Sequence, residues 1–290
     1  MSKTPGHLFR EALSSESPLK IVGAVNAYSA IMAVETGFKA IYLSGAGVAN
    51  SSFGLPDLGM TTLNDVCEDI RRITSVTDTP LLVDADTGFG GAFNIARTVQ
   101  EMSKAGAAGF HIEDQVASKR CGHRPGKALV SKDEMNDRVK TAADARKDDS
   151  FFIMARTDAH AVEGMDKAID RALSYVECGA DMIFAEAIHT LEEYRQFCQT
   201  VSVPVLANIT EFGKTPYFTC DQLRDAGIAM VLYPLSAFRA MSLAALNVYK
   251  DIYENGTQVK SLEKMQTRKE LYEFLNYHNY EKKLDELFDK

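Results

Sequence analysis

The sequence predicts an α/β fold: a (β/α)8 TIM-type barrel carrying extra C-terminal helices. Three observations lead there. Eight short apolar runs recur from residue 20 onward, amphipathic helical stretches lie between them, and six consecutive runs end in polar or charged residues. Near-continuous hydrophobicity marks strands buried on both faces, as in a parallel sheet. Alternation with helices makes that sheet α/β, and polar strand ends are where such barrels carry their sites.

The runs are IVGAVN (21–26), AIYLSGAG (40–47), PLLVDAD (80–86), GFHIED (109–114), FFIMARTD (151–158), DMIFAEA (181–187), VPVLANIT (203–210) and AMVLYPLS (229–236). Between them, Thr62–Val76, Asn94–Ala105, Lys132–Lys147, Met165–Cys178 and Leu191–Thr200 have apolar residues at three and four spacing. Thr61 or Thr62, Ser131 and Thr190 stand where N-caps belong, and Gly37, Gly106, Gly179 and Gly227 where helices should end. A doubly wound open sheet is the alternative, but no GxGxxG follows the first run. No linker, repeat or low-complexity segment divides the 290 residues, so one barrel domain is expected with a helical extension over about 245–290.

A formal net charge of −8 excludes a general nucleic-acid or anionic-membrane surface. No stretch approaches the roughly 18 apolar residues of a membrane span, and the first residues lack the apolar core of a signal peptide. The five cysteines (67, 121, 178, 198, 220) are scattered with no CxxC pair, which fits reduced thiols and a cytoplasmic protein.

The strand ends supply the candidate chemistry. Ser44, Gly45 and Ala46 follow the second run; their backbone N–H groups form either an anion-binding nest or a plain tight turn. Asp84 and Asp86 leave the third strand on one face. Either they hold a hard cation such as Mg²⁺, or one caps a loop and the other is ion-paired. Glu113, Asp114, Arg156, Asp158, Glu186, Asn208 and Thr210 end the next four strands. Arg156 either bridges to these acids or forks onto a substrate carboxylate. Tyr42 is a candidate base or a buried structural tyrosine. The loop SKRCGHRPGK (118–127) surrounds Cys121 with Lys119, Arg120, His123, Arg124 and Lys127. It reads either as a solvated basic loop or as a mobile lid, with Gly122, Pro125 and Gly126 as its pliable points, whose cations lower the thiol pKa.

These motifs bring a family into view. KRCGH (119–123) with VDADTGFG (83–90) closely resembles the isocitrate lyase and phosphoenolpyruvate mutase superfamily, and the likeness is greatest to its short branch serving the methylcitrate cycle of propionate catabolism. It continues through YLSGAGVA, GLPDLG, HIEDQ, MARTDA, ANITEFG, YPLSAFRAM and MQTRKELYE, effectively the whole chain. Isocitrate lyases proper are longer and usually carry Lys where Arg120 stands.

The resemblance implies a carbon–carbon lyase that cleaves a 2-hydroxy tricarboxylate, methylisocitrate, to pyruvate and succinate. Isocitrate, dimethylmalate and carboxyphosphonoenolpyruvate are the alternative substrates. A thiol redox-sensing binding protein is the rival of another class; it would need a resolving cysteine near Cys121. By resemblance, Asp84 and Asp86 hold Mg²⁺, with Mn²⁺ a possible substitute, and Cys121 is the acid/base thiol. Ser44, Gly45, Ala46, Gly122, Arg156, Glu186, Asn208, Ile209, Thr210, Arg239 and Arg268 become substrate contacts, and Asp57, Glu113 and His123 stand behind them. A homotetramer with C-terminal helices swapped between subunits is also implied. Two positions depart from the family pattern: Ala46 replaces an expected glycine and Ala185 an expected proline.

Overall fold

The computed structural model describes residues 3–124 and 126–288. Eight parallel strands close into a barrel, β8 pairing back onto β1. They are β1 (Leu19–Gly23), β2 (Ala40–Leu43), β3 (Leu81–Asp84), β4 (Gly109–Glu113), β5 (Phe152–Thr157), β6 (Met182–Ala185), β7 (Val205–Asn208) and β8 (Met230–Tyr233). The anticipated barrel is the one observed, and the open-sheet alternative is excluded. Every run placed as a strand contains one, although β1 begins two residues before the expected stretch.

Helix ends follow local chemistry. Thr62, Ser131 and Thr190 each accept the N3 backbone N–H as N-caps, satisfying a donor that a helix start otherwise leaves open. Gly106 and Gly179 close their helices at φ +99° and +106°, the left-handed conformation that glycine adopts without steric cost. The SGAG segment is a helical turn (Gly45–Gly47) running into a π-helical turn (Val48–Ser52).

Alternation along the strands divides the core in two. Ile41, Leu43, Val83, Ile153, Ile183 and Val231 face the helices in the larger apolar cluster. Tyr42, Leu82, Phe152, Met154, Phe184, Leu206 and Leu232 face the barrel axis in the smaller one. The helix Pro5–Ser15 plugs that interior with Phe9, whose ring lies 4.3 Å from Phe152. Each fully buried large side chain is worth roughly 1.5–3 kcal/mol of transfer free energy, so this plug is a major contributor.

The chain divides into two compact units, Met1–Ser236 and Ala237–Lys290. The second holds most of the helix Ser236–Asn255, a 3₁₀ turn (Val259–Lys264) and the helices Arg268–Phe274 and Tyr277–Phe288. No residue of its three α-helices is buried. Within it Tyr272 and Tyr277 stack at 4.2 Å, and Thr267 caps the Arg268 helix through a reciprocal pair with Glu270. No described helix is long and apolar enough to cross a membrane, and all five cysteines are free.

Candidate active site

The upper barrel interior is built by the same faces that are apolar below. Leu82 faces the axis, so Asp84, two residues on, does too; Met154 leads likewise to Arg156 and Phe184 to Glu186. Strand register sets these groups level with one another: Asp84 pairs with His111 and Glu113 with Arg156. All five side chains are buried.

Asp84 is the anchored member of the expected carboxylate pair. Its Oδ2 accepts the Gly45 N–H at 3.1 Å and the Tyr42 hydroxyl at 3.4 Å, and its Oδ1 accepts the Asp86 N–H at 3.0 Å. Burial pushes its pKa up, but nearby positive charge, with His111, Lys119 and Arg156 the contributors, outweighs this and holds it at about 2. Burial also lowers His111 to about 4, leaving the ring neutral at pH 7, so Lys119 and Arg156 carry that effect there. Asp86, at φ +47°, moves the other way: burial and the Asp84 charge raise it to about 6.

One of these two acids has a cationic partner from the chain itself. The buried Lys119 ammonium lies 2.5 Å from Asp86 Oδ1 and 2.6 Å from Asp57 Oδ1. Divalent metal nevertheless fits the donor set. The oxygens of Asp84 and Asp86 are hard ligands, Glu113 Oε1 is a buried oxygen without a hydrogen-bond partner, and Gly45 leaves open a place where a Cβ would meet both aspartates at 3.1 Å. Six carboxyl groups (Asp57, Asp84, Asp86, Glu113, Asp158, Glu186) gather here against the cationic side chains of Lys119, Lys127 and Arg156. Burial raises Glu113 well above the carboxylate range, which removes one negative charge but not the excess.

Arg156 bridges to the acids, one of its two anticipated roles. Its Nε lies 3.0 Å from Asp158 and 3.4 Å from Glu113, its Nη2 3.1 Å from Glu186, and its guanidinium 5.1 Å from the centre of the Phe184 ring. Glu186 is held well below its usual range by Arg156 and His123, against the opposing effect of burial. His123 Nδ1 accepts the Lys214 N–H at 3.0 Å, so its Nε2–H donates to Glu186 Oε1 at 2.9 Å.

The 118–127 loop is therefore fastened to the mouth rather than freely solvated. Lys119 reaches Asp57 and Asp86, His123 reaches Glu186, and Lys127 donates to both Gly122 O and Asp158 at 2.6 Å. Gly122 is buried, and only glycine fits there: a Cβ would run into Arg156 Nη2 and the Glu186 side chain. Pro125, expected to help the loop change shape, lies outside the described residues.

One electrostatic expectation reverses. Cys121 keeps contact with solvent, but the surrounding walls remove enough water that burial pushes its thiol up rather than down. Lys119, His123 and Lys127 are directed at acids rather than at sulfur, and Cys121 is a protonated thiol at neutral pH. Tyr42 is buried, as one of its two anticipated readings has it, and its hydroxyl is protonated at neutral pH. Burial and Asp84 raise its hydroxyl well above the usual value, and it bonds to Asp84 and, at 2.9 Å, to His111.

The structure also brings together groups that the strand-end reading left out. His111 belongs to the site, as its i,i+2 relation to Glu113 in GFHIED signals. Lys119 and Lys127 act as ion-pair partners, while Asp158, one of the anticipated strand-end groups, orients Arg156. Ser44, Asn208 and Thr210 are buried at strand ends, and Asn208 Nδ2 lies 3.4 Å from both Glu186 oxygens. Ile209 packs its side chain in the outer apolar cluster. Ala46 lies in a helical turn, where its methyl is easily accommodated. Ala185 ends β6 in ordinary strand pairing. Arg239 and Arg268 belong to the second unit.

Comparison with known proteins agrees with this geometry. The family model of phosphoenolpyruvate phosphomutase matches residues 9–253. The chain is 63% identical to a 2-methylisocitrate lyase of Escherichia coli K12, over 98% of this chain and 97% of that one. It is 48% identical to a 2-methylisocitrate lyase of Aeropyrum pernix, over 96% and 90%. A crystal structure of 2,3-dimethylmalate lyase, described as a PEP mutase/isocitrate lyase superfamily member, superposes with a TM-score of 0.90 at 33% identity, covering 97% of this chain and 95% of that one.

Proposed function

The chain belongs to the phosphoenolpyruvate phosphomutase family, and from that membership we propose that it is a carbon–carbon lyase cleaving 2-methylisocitrate to pyruvate and succinate. The observation that carries this reading is full-length similarity to lyases of that name combined with a cysteine loop fastened across a carboxylate-rich barrel mouth. We place the reaction in the methylcitrate cycle of propionate catabolism and the protein in the cytoplasm, where its free thiols would stay reduced.

Asp84 and Asp86 would hold magnesium, or manganese in its place, which when bound supplies charge that acidifies the substrate hydroxyl and anchors the adjoining carboxylate. The protein's own groups do the rest. Tyr42 and the Gly45 N–H fix the Asp84 oxygens. As the bond between C2 and C3 opens, the substrate hydroxyl passes its proton to Tyr42, which passes its own to the neutral His111 ring at 2.9 Å. The hydroxyl carbon becomes the ketone of pyruvate, and the bonding pair passes into the carboxylate of the succinate half. Cys121, protonated at neutral pH, gives its S–H proton to that carbon. Its raised pKa suits a general acid. Seating Gly122 against Arg156 and Glu186 closes the mouth and excludes water from the carbanion.

Ser44, Gly45, Ala46, Arg156, Glu186, Asn208 and Thr210 are proposed substrate contacts, and Ile209 through its backbone alone. The assignment of Arg239 and Arg268 rests on their motifs. A homotetramer with exchanged C-terminal helices is supported by Leu243, Tyr249 and Tyr253, exposed at 61%, 68% and 92% in the single chain.

The test is a product assay on the purified chain with Mg²⁺. Methylisocitrate should yield pyruvate and succinate in equal amounts, and isocitrate should yield glyoxylate much more slowly. Cleavage of dimethylmalate or isocitrate in preference to methylisocitrate would overturn the substrate. EDTA should abolish turnover and Mg²⁺ restore it; full activity in metal-free protein would remove the role given to Asp84 and Asp86.

A further inference from the structure

A second group of metal-ligand side chains lies beyond the β6 end of the barrel, outside the machinery described above. His160 opens the short helical turn after β5, His189 follows β6, and Glu193 lies in the first turn of the helix Leu191–Thr200. Among the described residues, these three bring one ligand atom each within 4.8 Å of the others. The His160 and His189 rings meet edge to face at 5.0 Å.

The hydrogen bonds around His160 leave a specific deficit. Its Nδ1 lies 3.1 Å from the Ala187 carbonyl, which can only accept, so Nδ1 carries the proton. In the neutral ring the lone pair is then on Nε2, and that atom faces Glu193 Oε1 at 3.1 Å. Two acceptors at this distance repel unless a cation lies with them, either a proton on Nε2 or a metal ion. The spacing is close to the roughly 3.3 Å between neighbouring ligands that metal–ligand bonds of about 2.0–2.1 Å give on a tetrahedral ion. An Nδ1–H held by a backbone carbonyl is also the arrangement that orients metal-binding histidines.

The other two ligands suit the same role. Glu193 is fixed through Oε2, which accepts the N–H groups of His189 at 3.0 Å and Thr190 at 2.8 Å, so Oε1 is presented without free rotation. His189 is exposed and able to turn toward the other two.

We propose that His160, His189 and Glu193 form a site for a borderline divalent ion of the Zn²⁺ class, distinct from the hard-cation site at Asp84 and Asp86. Two imidazoles and a carboxylate select for such an ion over Mg²⁺, and the fourth position is left to water. The ion acts as a brace. Ala187, at φ +56°, accepts from His160 and donates its own N–H to Glu186 Oε1 at 2.9 Å. Fastening His160 therefore stiffens the segment that positions Glu186.

The experiment uses the full chain with Mg²⁺ in excess to occupy the Asp84/Asp86 site. Co²⁺ and Zn²⁺ are titrated, with Co²⁺ read by visible ligand-field absorption and Zn²⁺ by calorimetry and thermal melting. The expected result is one ion per chain, no sulfur-to-cobalt charge-transfer band, and a melting temperature raised by a few degrees at about a hundredfold excess over Kd. His189→Ala, a change at an exposed side chain, should weaken binding at least tenfold and remove the thermal shift. An unbound wild type, or a His189→Ala variant that binds as tightly as wild type, overturns the site. A protonated His160–Glu193 ion pair alone predicts the first of these results.

Discussion

The lower and upper halves of the barrel interior use the same strands and the same inward face, yet their chemistry is opposite. Below, Phe9, Leu19, Ile21, Phe152, Met182 and Met230 fill the axis with hydrocarbon. Higher on the same inward face, two residues past Leu82, Met154, Phe184 and Leu206, come Asp84, Arg156, Glu186 and Asn208, with Glu113 paired beside Arg156, all buried and most of them ionisable. Close packing of apolar groups lowers free energy without needing partners, whereas each buried charge must be matched. The upper half is matched incompletely: Glu113 Oε1, His111 Nδ1 and Asn208 Oδ1 have no hydrogen-bond partner among the described residues. One half supplies stability. The other holds polar capacity ready for a ligand, at a cost in stability that the first half offsets.

That contrast can be broken from either side. The largest expected effect is on turnover. Cys121→Ser keeps size and polarity but substitutes a far weaker acid, so the rate should fall by about 10²–10⁴ while the melting temperature stays unchanged, because the residue is exposed. Steady-state kinetics and a thermal melt check both halves of the statement; wild-type turnover would remove the thiol from the chemistry. The reciprocal change is Phe9→Ala. It empties the plug against Phe152 and should cost about 3–5 kcal/mol in denaturant unfolding, with turnover per folded molecule preserved. A loss of turnover without loss of stability would mean that the two halves are not separable.

Gly122→Ala sharpens the comparison at the mouth itself. The added methyl would fall 2.4 Å from Arg156 Nη2 and 2.7 Å from the Glu186 side chain, so the loop cannot seat without moving an ion pair. Turnover should drop at least tenfold with little change in melting temperature, since the damaged contacts belong to the half that contributes least to stability. The same variant should bind Mg²⁺ as wild type does, because Asp84 and Asp86 are untouched. Unaltered kinetics would show that the seated loop is not the form that reacts.

The fold was legible because its signals are local and repeated. Buried parallel strands read as apolar runs, and the side chains of Thr62, Ser131 and Thr190 cap helices through contacts three residues away. The rim groups were legible from strand parity: once Asp84 and Asp86 are placed at a strand end, their gathering with Glu113, Arg156 and Glu186 follows from barrel closure. What stayed hidden depends on which distant residue answers a charge. Lys119 looked like a loop cation aimed at the thiol or the substrate, but its partners are Asp57, 62 positions away, and Asp86. His111 drew no reading from its place in the fourth run, and its bond to Tyr42 spans 69 positions. The direction of the Cys121 pKa was misread for the same reason: composition counts the cations near a thiol, but not the acids that engage them.

The smallest expected effect tests that reversal directly. Alkylation by iodoacetamide requires the thiolate, so the rate at Cys121 follows its ionised fraction. A thiol governed by the loop's cations would reach a plateau below the free-cysteine pKa of about 8.5. A thiol pushed up by burial, as here, has less thiolate at every pH below its midpoint. Its rate should keep rising about tenfold per pH unit through pH 8.5 and should lie below that of free cysteine at pH 7. Peptide mass spectrometry separates modification at Cys121 from that at the other four cysteines. Cys198, raised to about 12 by burial, provides an internal control that should lag behind Cys121 throughout. A plateau at or below pH 8 would show that the loop's positive charge reaches the sulfur after all, and that Cys121 rests as a thiolate before substrate arrives.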